Sequence, residues 1–336
     1  MRVIVAPDKF RGTATAAEVA GAVCRAASAA GWECEPIPLS DGGEGLLEAF
    51  GGPNRTSRVT GPHGRPVTAG WRLDGEQAVL EAAQANGLML AGGAEGNDPM
   101  AATSAGVGEL VAAAIGAGAR RVLVGIGGSA NTDGGAPVVD LLAAQRPLDG
   151  ADGRVLVEVC CDVRTTFVDA ARVFGPQKGA SPEQLAELTR RLTGLAADYH
   201  SRFDVDVTVI PGTGAAGGLG GAFAVLGARL LPGFATIAEH LGLDDAVRRS
   251  DLVVTGEGRL DASSFHGKVV GGMVDVAERH GKPVLIVAGV VDDDVARHDA
   301  VSLVERFGAE RSRADTSACI ETVVADYLER AGGPNR

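Results

Sequence analysis

The feature that most constrains the fold is a glycine-dense segment at residues 120–135, RRVLVGIGGSANTDGG. Its run Val122-Leu123-Val124 is typical of a strand buried on both faces of a parallel sheet. Residues 125–135, the glycine loop, carry little side-chain bulk, and apolar residues beyond them predict a helix. A loop of this kind exposes backbone N–H groups, which bind phosphate. Because one or two glycines suffice for a sharp turn, this density favours an anion site.

Several other short apolar runs have the same strand character, and two blocks of different pattern interrupt them. The buried runs are 2–6, 35–39, 121–125, 251–255, 283–288 and 300–304. They predict an α/β protein with a doubly wound, mainly parallel six-stranded sheet of the Rossmann type. The predicted Rossmann-like domain comprises 1–48, 91–150 and 236–336, and a smaller inserted α/β domain comprises 49–90 and 151–235.

Two helix starts have capping-box signatures. Thr15 followed by Glu18 predicts the start of the first helix. Ser181 with Pro182 and Gln184 predicts a long helix that carries leucines on one face.

The chain of 336 residues has a formal net charge of −12, which argues against nucleic acid or an anionic membrane as a partner. We expect a small-molecule substrate and leave the choice between monomer and homodimer open. The five cysteines are odd in number and follow no metal or disulfide spacing, which predicts a reducing, cytoplasmic location. No run is long and apolar enough for a membrane span.

Lysine is rare in this chain. Of the 31 basic residues only four are lysine, and three of these, Lys9, Lys178 and Lys268, lie in glycine-bounded loops. Carboxylates occupy the same kind of loop, at Asp8, Asp41, Glu44, Asp133, Asp162, Glu257 and Asp261. Backbone amides, isolated cations and acids that hold Mg²⁺ are what phosphoryl transfer requires. The alternative is that these acids cap helices.

Residues 212–217 match the dinucleotide-binding pattern G-x-G-x-x-G. The match is weak, because no acidic residue lies near the offset of about 20 residues that ribose binding requires. Close helix packing or a substrate contact is the favoured interpretation, and nicotinamide binding is the alternative.

The chain resembles the glycerate kinase family over its whole length. The matching segments are Ala6–Gly12, Asp41–Gly45, Thr103–Leu110, Gly125–Gly135, Cys161–Val163, Val173–Ala180, Pro211–Gly220, Thr255–Asp261 and Gly267-Lys268. This resemblance implies two domains, ATP, Mg²⁺ and transfer of the γ-phosphoryl group to a hydroxyl of D-glycerate, usually giving 2-phosphoglycerate.

The chain departs from the family pattern at several places, including slight differences at 84–86 and 97–99. Arg11 replaces the usual lysine, Asn131-Thr132 inverts the usual order, and 164–172 replaces a longer segment. Another small hydroxy acid or a polyol is therefore an alternative acceptor. A non-catalytic metabolite-binding protein is a further alternative.

These patterns give hypotheses for individual residues. Gly127, Gly128, Ser129, Asn131 and Gly134 hold the phosphates of ATP. Lys9, Arg11, Lys178 and Lys268 supply positive charge, with Lys268 assigned to the nucleotide. Asp41, Asp133 and Asp261 hold Mg²⁺. Asp8 or Asp162 orients the acceptor hydroxyl, and the sequence does not choose between them.

Overall fold

A computed structural model of the chain describes residues 1–10, 12–40, 42–43, 45–265, 267–295 and 300–332. The chain divides into two compact units. Unit 1 comprises Met1–Asp41 and Phe234–Arg336, and unit 2 comprises Gly42–Gly233.

The described residues form strands and helices in alternation. In chain order the strands are β1 (Arg2–Val5), β2 (Glu33–Pro36), β3 (Arg55–Thr60), β4 (Pro66–Asp74), β5 (Gln77–Glu81), β6 (Arg121–Gly125), β7 (Leu156–Cys160), β8 (Arg229–Leu231), β9 (Leu252–Leu260), β10 (Val284–Val291) and β11 (Ala300–Ser302).

The helices are α1 (Ala16–Ala29), α2 (Leu46–Ala49), α3 (Ala83–Asn86), α4 (Gly93–Gly96), α5 (Ala105–Gly116), α6 (Ala136–Leu142), α7 (Ala170–Phe174), α8 (Pro182–Phe203), α9 (Ala215–Val225), α10 (Gly233–His240), α11 (Leu243–Arg248), α12 (Val269–Arg279), α13 (Leu303–Phe307), α14 (Ala309–Ala314) and α15 (Thr316–Arg330). None of the described helices is long and apolar enough to cross a membrane.

Unit 1 contains a five-stranded sheet in the order β2-β1-β9-β10-β11. Every neighbouring pair is parallel; Val3 of β1, for example, lies opposite Cys34 of β2 and Leu252 of β9. The strand order reverses between β1 and β9, and in doubly wound sheets ligands bind beyond the carboxyl ends of the strands at this point. The predicted doubly wound α/β fold is confirmed.

Both faces of the unit 1 sheet are covered. Val3 and Leu252 pack with α1 and α15 in one buried cluster. The alternate residues Ile4 and Val253 are fully buried, and α12 packs on β9 and β10. Burying each such side chain contributes about 1.5–3 kcal/mol, which explains why these strands read as continuous apolar runs.

Unit 2 contains a six-stranded mixed sheet in the order β3-β4-β5-β6-β7-β8. The first three strands form an antiparallel meander, and β5 to β8 are parallel. Its core includes Phe167, Tyr199 and Phe223, all fully buried. The strand that leads into the glycine loop, β6, lies between β5 and β7.

The position of β6 corrects the predicted domains. Residues 121–125 belong to the sheet of unit 2, so the Rossmann-like sheet has five strands rather than six. The segment 91–150 lies in unit 2, which is continuous and the longer of the two units. A strand with parallel neighbours on both sides has the same apolar sequence in either sheet. Which strands it pairs with is determined by the fold of the whole chain and not by its own residues.

A disulfide joins Cys24 of α1 to Cys34 of β2. This contradicts the expectation that no cysteine pair is placed to form a disulfide. The two residues are brought together because β2 follows α1 directly and packs on it, a proximity that no sequence motif records. Cys160, Cys161 and Cys319 are not disulfide-bonded.

We predict that Cys34→Ser lowers the free energy of unfolding by about 3 kcal/mol, because the crosslink closes a short loop in the unfolded chain. Urea denaturation of the oxidised protein measures the loss. Wild-type protein in dithiothreitol is the matched control and should be as unstable as the variant. Equal stability of oxidised and reduced wild type would contradict the prediction.

Candidate functional site

In unit 1, the segment after β1 lies beside the middle of β9. The backbone N–H of Asp8 donates to Gly256 O at 2.9 Å, and the hydroxyl of Thr255 donates to Ala6 O at 2.8 Å. These bonds place Asp8 next to Glu257, within the switch point of the sheet.

Four charged side chains meet here, and we call them the strand-end cluster: Asp8, Glu257, Asp261 and Lys268. Burial raises the pKa of Glu257, and the charges of Asp8 and Asp261 act in the same direction. The Ser264 hydroxyl and the Lys268 ammonium oppose this rise. Oε1 of Glu257 is buried without a hydrogen-bond partner among the described residues.

Ser263 connects two members of the strand-end cluster. Oδ1 of Asp261 accepts from Ser263 N at 2.8 Å and from its hydroxyl at 2.5 Å. Nζ of Lys268 donates to the same hydroxyl at 2.7 Å. The hydroxyl bond holds the pKa of Asp261 below its ordinary value, so this carboxylate stays ionised.

Lys9 lies next to Asp8, whose Oδ1 accepts from Lys9 N at 2.7 Å. Lys9 and Phe10 line an open hollow of about 340 Å³ with Thr13, Thr15 and Glu18. Of the predicted site residues, Arg11 and Asp41 lie outside the described residues, so their predicted roles stay predictions.

In unit 2, the glycine loop begins with backbone that is free to bind a ligand. A Cβ on Gly127 would lie 2.6 Å from Gly43 Cα, so a larger residue does not fit there. The N–H groups of Gly127 and Gly128 donate to no acceptor in the described part of the chain, and Gly128 is exposed. Two adjacent free N–H groups can bind an anion.

Lys178 is buried under this loop and is 3% exposed. Its Nζ donates to Asn131 O at 2.6 Å and to the Ser129 hydroxyl at 3.1 Å. Burial lowers the pKa of Lys178 to about 7, although the Asp133 carboxylate acts in the opposite direction. Because it bonds to the loop itself, Lys178 fixes the loop from beneath.

Both oxygens of the Asp133 carboxylate accept hydrogen bonds from residues of unit 2. Oδ2 accepts from the backbone N–H and the hydroxyl of Ser104 at 2.7 and 2.9 Å. Oδ1 accepts from Asn131 Nδ2 at 2.7 Å and from Gly135 N at 3.1 Å. A carboxylate has about four lone-pair positions, so Asp133 has none left for a metal ion. The structure therefore does not support the prediction that Asp133 holds Mg²⁺.

Asn131 and Gly134 are also held by internal bonds. Asn131 is fully buried; its Oδ1 accepts from Asn86 Nδ2 at 2.7 Å, and its Nδ2 donates to Ala216 O at 3.2 Å as well as to Asp133. Gly134 N donates to Gly217 O at 3.0 Å, and Gly134 O accepts from the Tyr199 hydroxyl at 3.0 Å. These contacts give both residues a structural role and leave the Gly134 N–H unable to bind phosphate.

The three glycines of the G-x-G-x-x-G match face protein atoms. A Cβ would lie 3.0 Å from Cys161 Sγ at Gly212, 2.3 Å from Thr166 O at Gly214 and 2.1 Å from Asn131 O at Gly217. The prediction of close packing is therefore confirmed, and these glycines present no surface for a dinucleotide.

Asp162 follows β7, and its Oδ1 accepts from Gly233 N at 2.8 Å. The two predicted candidates for orienting the acceptor thus lie in different units, Asp8 in unit 1 and Asp162 in unit 2. Among the described residues, no three His, Cys, Asp or Glu side chains are grouped so that they could hold a metal ion.

Comparison with known proteins connects this geometry to a family. The sequence model of the "Glycerate kinase family" matches residues 3–154 and 145–332. The glycerate 2-kinase of Escherichia coli (strain K12) is 39% identical over 331 residues, which cover 88% of this chain and 87% of the relative. The glycerate kinase of Bacillus subtilis (strain 168) is 36% identical, with 88% and 86% covered.

This chain belongs to the glycerate kinase family. A solved structure from Salmonella typhimurium LT2, provisionally described as glycerate kinase 2, superposes with a TM-score of 0.78 at 32% identity. The match covers 98% of each chain. The family resemblance inferred from the motifs is confirmed, and with it a kinase.

Sequence reasoning missed two kinds of residue in this glycerate kinase family member. Glu257 was one of seven loop carboxylates and received no role, although it follows a glycine at a strand end, as Asp8 follows a proline. Ser104 and Asn86 were missed because only the fold brings them to Asp133 and Asn131. The hydrogen bonds that each carboxylate accepts have no signal in the sequence.

The lowered pKa of Lys178 predicts a pH-dependent stability. Below about pH 7 the lysine is charged in both the folded and unfolded states, and folding bears the full cost of burying the charge. As the pH rises from 7 towards 10, the unfolded state binds more protons, so the free energy of unfolding increases by up to about 1.4 kcal/mol per pH unit.

Urea denaturation of wild type, Lys178→Met and Lys178→Gln between pH 7 and 9 measures this effect. Both variants should lack the increase, because neither carries an ionisable group at this position. Gln retains hydrogen bonding and so separates charge from packing. Parallel pH curves for wild type and variants would contradict the assigned cause.

Proposed function

We propose that this protein is an ATP-dependent kinase that transfers the γ-phosphoryl group to a hydroxyl of D-glycerate and forms 2-phosphoglycerate. The observation that carries the proposal is its similarity over most of its length to relatives named glycerate 2-kinase and glycerate kinase. The free N–H groups of the glycine loop and the strand-end cluster support it, because phosphoryl transfer depends on such groups.

The glycine loop contributes phosphate binding in this proposal. Gly127 and Gly128 offer N–H groups that donate to no acceptor among the described residues. Ser129 and Asn131 act through Lys178, which bonds to both of them and keeps the loop in one conformation. A loop fixed before the substrate arrives spends little free energy on ordering when it binds.

The strand-end cluster contributes charge. Lys268 lies at the start of α12, where its ammonium is held by Ser263, and Lys9 lies near Asp8. We assign these lysines to the carboxylate of the acceptor and to the transferred phosphoryl group, which are both anionic. Compact ammonium groups suit such point contacts.

Mg²⁺ takes oxygen ligands and is usually held by one or two carboxylates together with the substrate phosphates. Asp261 fits this chemistry, because it is ionised and both of its bonds from Ser263 go to the same oxygen, Oδ1. Asp133 does not fit, since all its lone pairs are used. When bound, Mg²⁺ neutralises charge on the phosphates.

A different small hydroxy acid or a polyol is the second candidate acceptor. It is favoured by the shortened segment 164–172, in which Thr165 O accepts from Gly214 N at 2.9 Å and the Thr166 hydroxyl donates to Asp169 at 3.0 Å. The glycines at 212–217 are packed against protein, which argues against nicotinamide-dependent oxidation.

The direct test is ADP release from ATP and Mg²⁺ with D-glycerate, L-glycerate, glycolate, lactate and glycerol as acceptors. We expect turnover with D-glycerate, and ¹³C and ³¹P NMR should place the phosphoryl group on the C2 oxygen. Turnover with another acceptor alone would select the second candidate. No ADP release with any acceptor would favour a non-catalytic binding protein.

Asp261→Asn tests the metal assignment. The variant retains an oxygen for Ser263 but has no charge for Mg²⁺, so we expect the Mg²⁺ concentration for half-maximal turnover to rise about 10-fold or more. The KM for D-glycerate should change little. Asp275→Asn, at an exposed position of α12, is the matched control. Identical Mg²⁺ dependence in all three proteins would remove Asp261 from the metal site.

A further inference from the structure

Glu257 occupies the position where a doubly wound sheet places reactive groups. It lies on β9, opposite Ala288 of β10 in the sheet register. The neighbouring strand on the other side is β1, and the chain beyond β1 stays bonded to β9 as far as Asp8 N. Glu257 therefore belongs to the switch point, at which ligands of α/β folds bind.

The carboxylate of Glu257 has an unused hydrogen-bonding capacity. Oε1 is buried and accepts no hydrogen bond in the described part of the chain. An unsatisfied buried polar atom costs about 1–3 kcal/mol, so such an atom in a folded protein calls for a functional explanation. A ligand hydroxyl that donates to Oε1 would satisfy it.

Other acids predicted for a site accept hydrogen bonds within their own units. Oδ1 of Asp261 accepts two bonds from Ser263. Oδ1 of Asp8 accepts from Lys9 N, and Oδ1 of Asp162 accepts from Gly233 N. Asp133 accepts four bonds. Within the strand-end cluster, Oε1 of Glu257 is a buried carboxylate oxygen that accepts no hydrogen bond from the described residues.

The charges around Glu257 also suit a proton acceptor. Burial and the negative charges of Asp8 and Asp261 raise its pKa, whereas Lys268 limits the rise. A carboxylate with a raised pKa is a stronger base than an exposed one.

We propose that Glu257 is the general base of the kinase, and that its Oε1 accepts the proton of the acceptor hydroxyl. This assignment rests on the proposed function and replaces the two sequence candidates, Asp8 and Asp162. As the acceptor oxygen forms its bond to the γ-phosphorus of ATP, the bond from that phosphorus to the β,γ-bridging oxygen breaks. The proton moves to Glu257, and ADP leaves with the electron pair.

The central experiment compares wild type and Glu257→Gln in the ADP-release assay with D-glycerate, ATP and Mg²⁺. Gln has the same shape but cannot accept the proton, so we expect kcat to fall about 10²–10⁴-fold while both KM values change less than about fivefold. Glu329→Gln, at an exposed position of α15 in the same unit, is the matched control and should behave as wild type.

Thermal unfolding gives a second readout that is independent of turnover. If the buried oxygen is retained for chemistry rather than for stability, removing its charge should raise Tm by a few degrees. A lowered Tm would instead show a structural carboxylate and overturn the assignment. Glu257→Asp keeps the charge, but its shorter side chain holds the carboxylate farther from the acceptor, so kcat should also fall.

The outcomes separate this inference from the proposed function. Active wild type with Glu257→Gln within fivefold of its kcat would overturn the role of Glu257 and leave the kinase standing. Recovery of the variant at high Mg²⁺ would identify a metal ligand and likewise overturn the role of base. Wild type inactive with every acceptor would overturn both.

Discussion

The candidate site in unit 2 depends on backbone packed directly against backbone. The segment 131–134 of the glycine loop contacts the turn that opens α9, with Gly134 N donating to Gly217 O and Asn131 Nδ2 to Ala216 O. No side chain fits between them, since a Cβ on Gly217 would lie 2.1 Å from Asn131 O. This contact, with Lys178 beneath it, fixes one end of the loop and leaves the N–H groups of Gly127 and Gly128 available.

Local features of the fold could be predicted from the sequence because their causes are local. Both predicted capping boxes are present, at Thr15 with Glu18 and at Ser181 with Gln184. Strand membership could not be predicted in the same way. Residues 121–125 form a buried parallel strand as expected, but their partners are β5 and β7. The disulfide between Cys24 and Cys34 was missed for the same reason, since only the folded chain brings α1 onto β2.

In the candidate sites too, the sequence indicates the residue type but not the surroundings of each residue in the fold. The rarity of lysine identified Lys178, but nothing in the sequence indicates that it is buried and bonded to Ser129 and Asn131. The seven loop carboxylates looked equivalent in the sequence, and the structure shows hydrogen bonds only for those among the described residues. Asp133 proved saturated, and Glu257 proved to have a buried oxygen without a partner. The roles that we propose for these acids therefore depend on their hydrogen bonds, which residue type alone does not show.

The connectivity of the two units has a consequence for biosynthesis. Unit 2 is one uninterrupted segment, whereas β1, an interior strand of the unit 1 sheet, pairs with β9, which follows unit 2 in the chain. Translation proceeds at about 5–20 residues per second, and unit 2 is made before β9. After its own synthesis, β1 is therefore without β9 for on the order of ten seconds or longer. The apolar edge of β1 is exposed to the ribosome and to chaperones throughout that interval, so the first strand made is among the last to be enclosed.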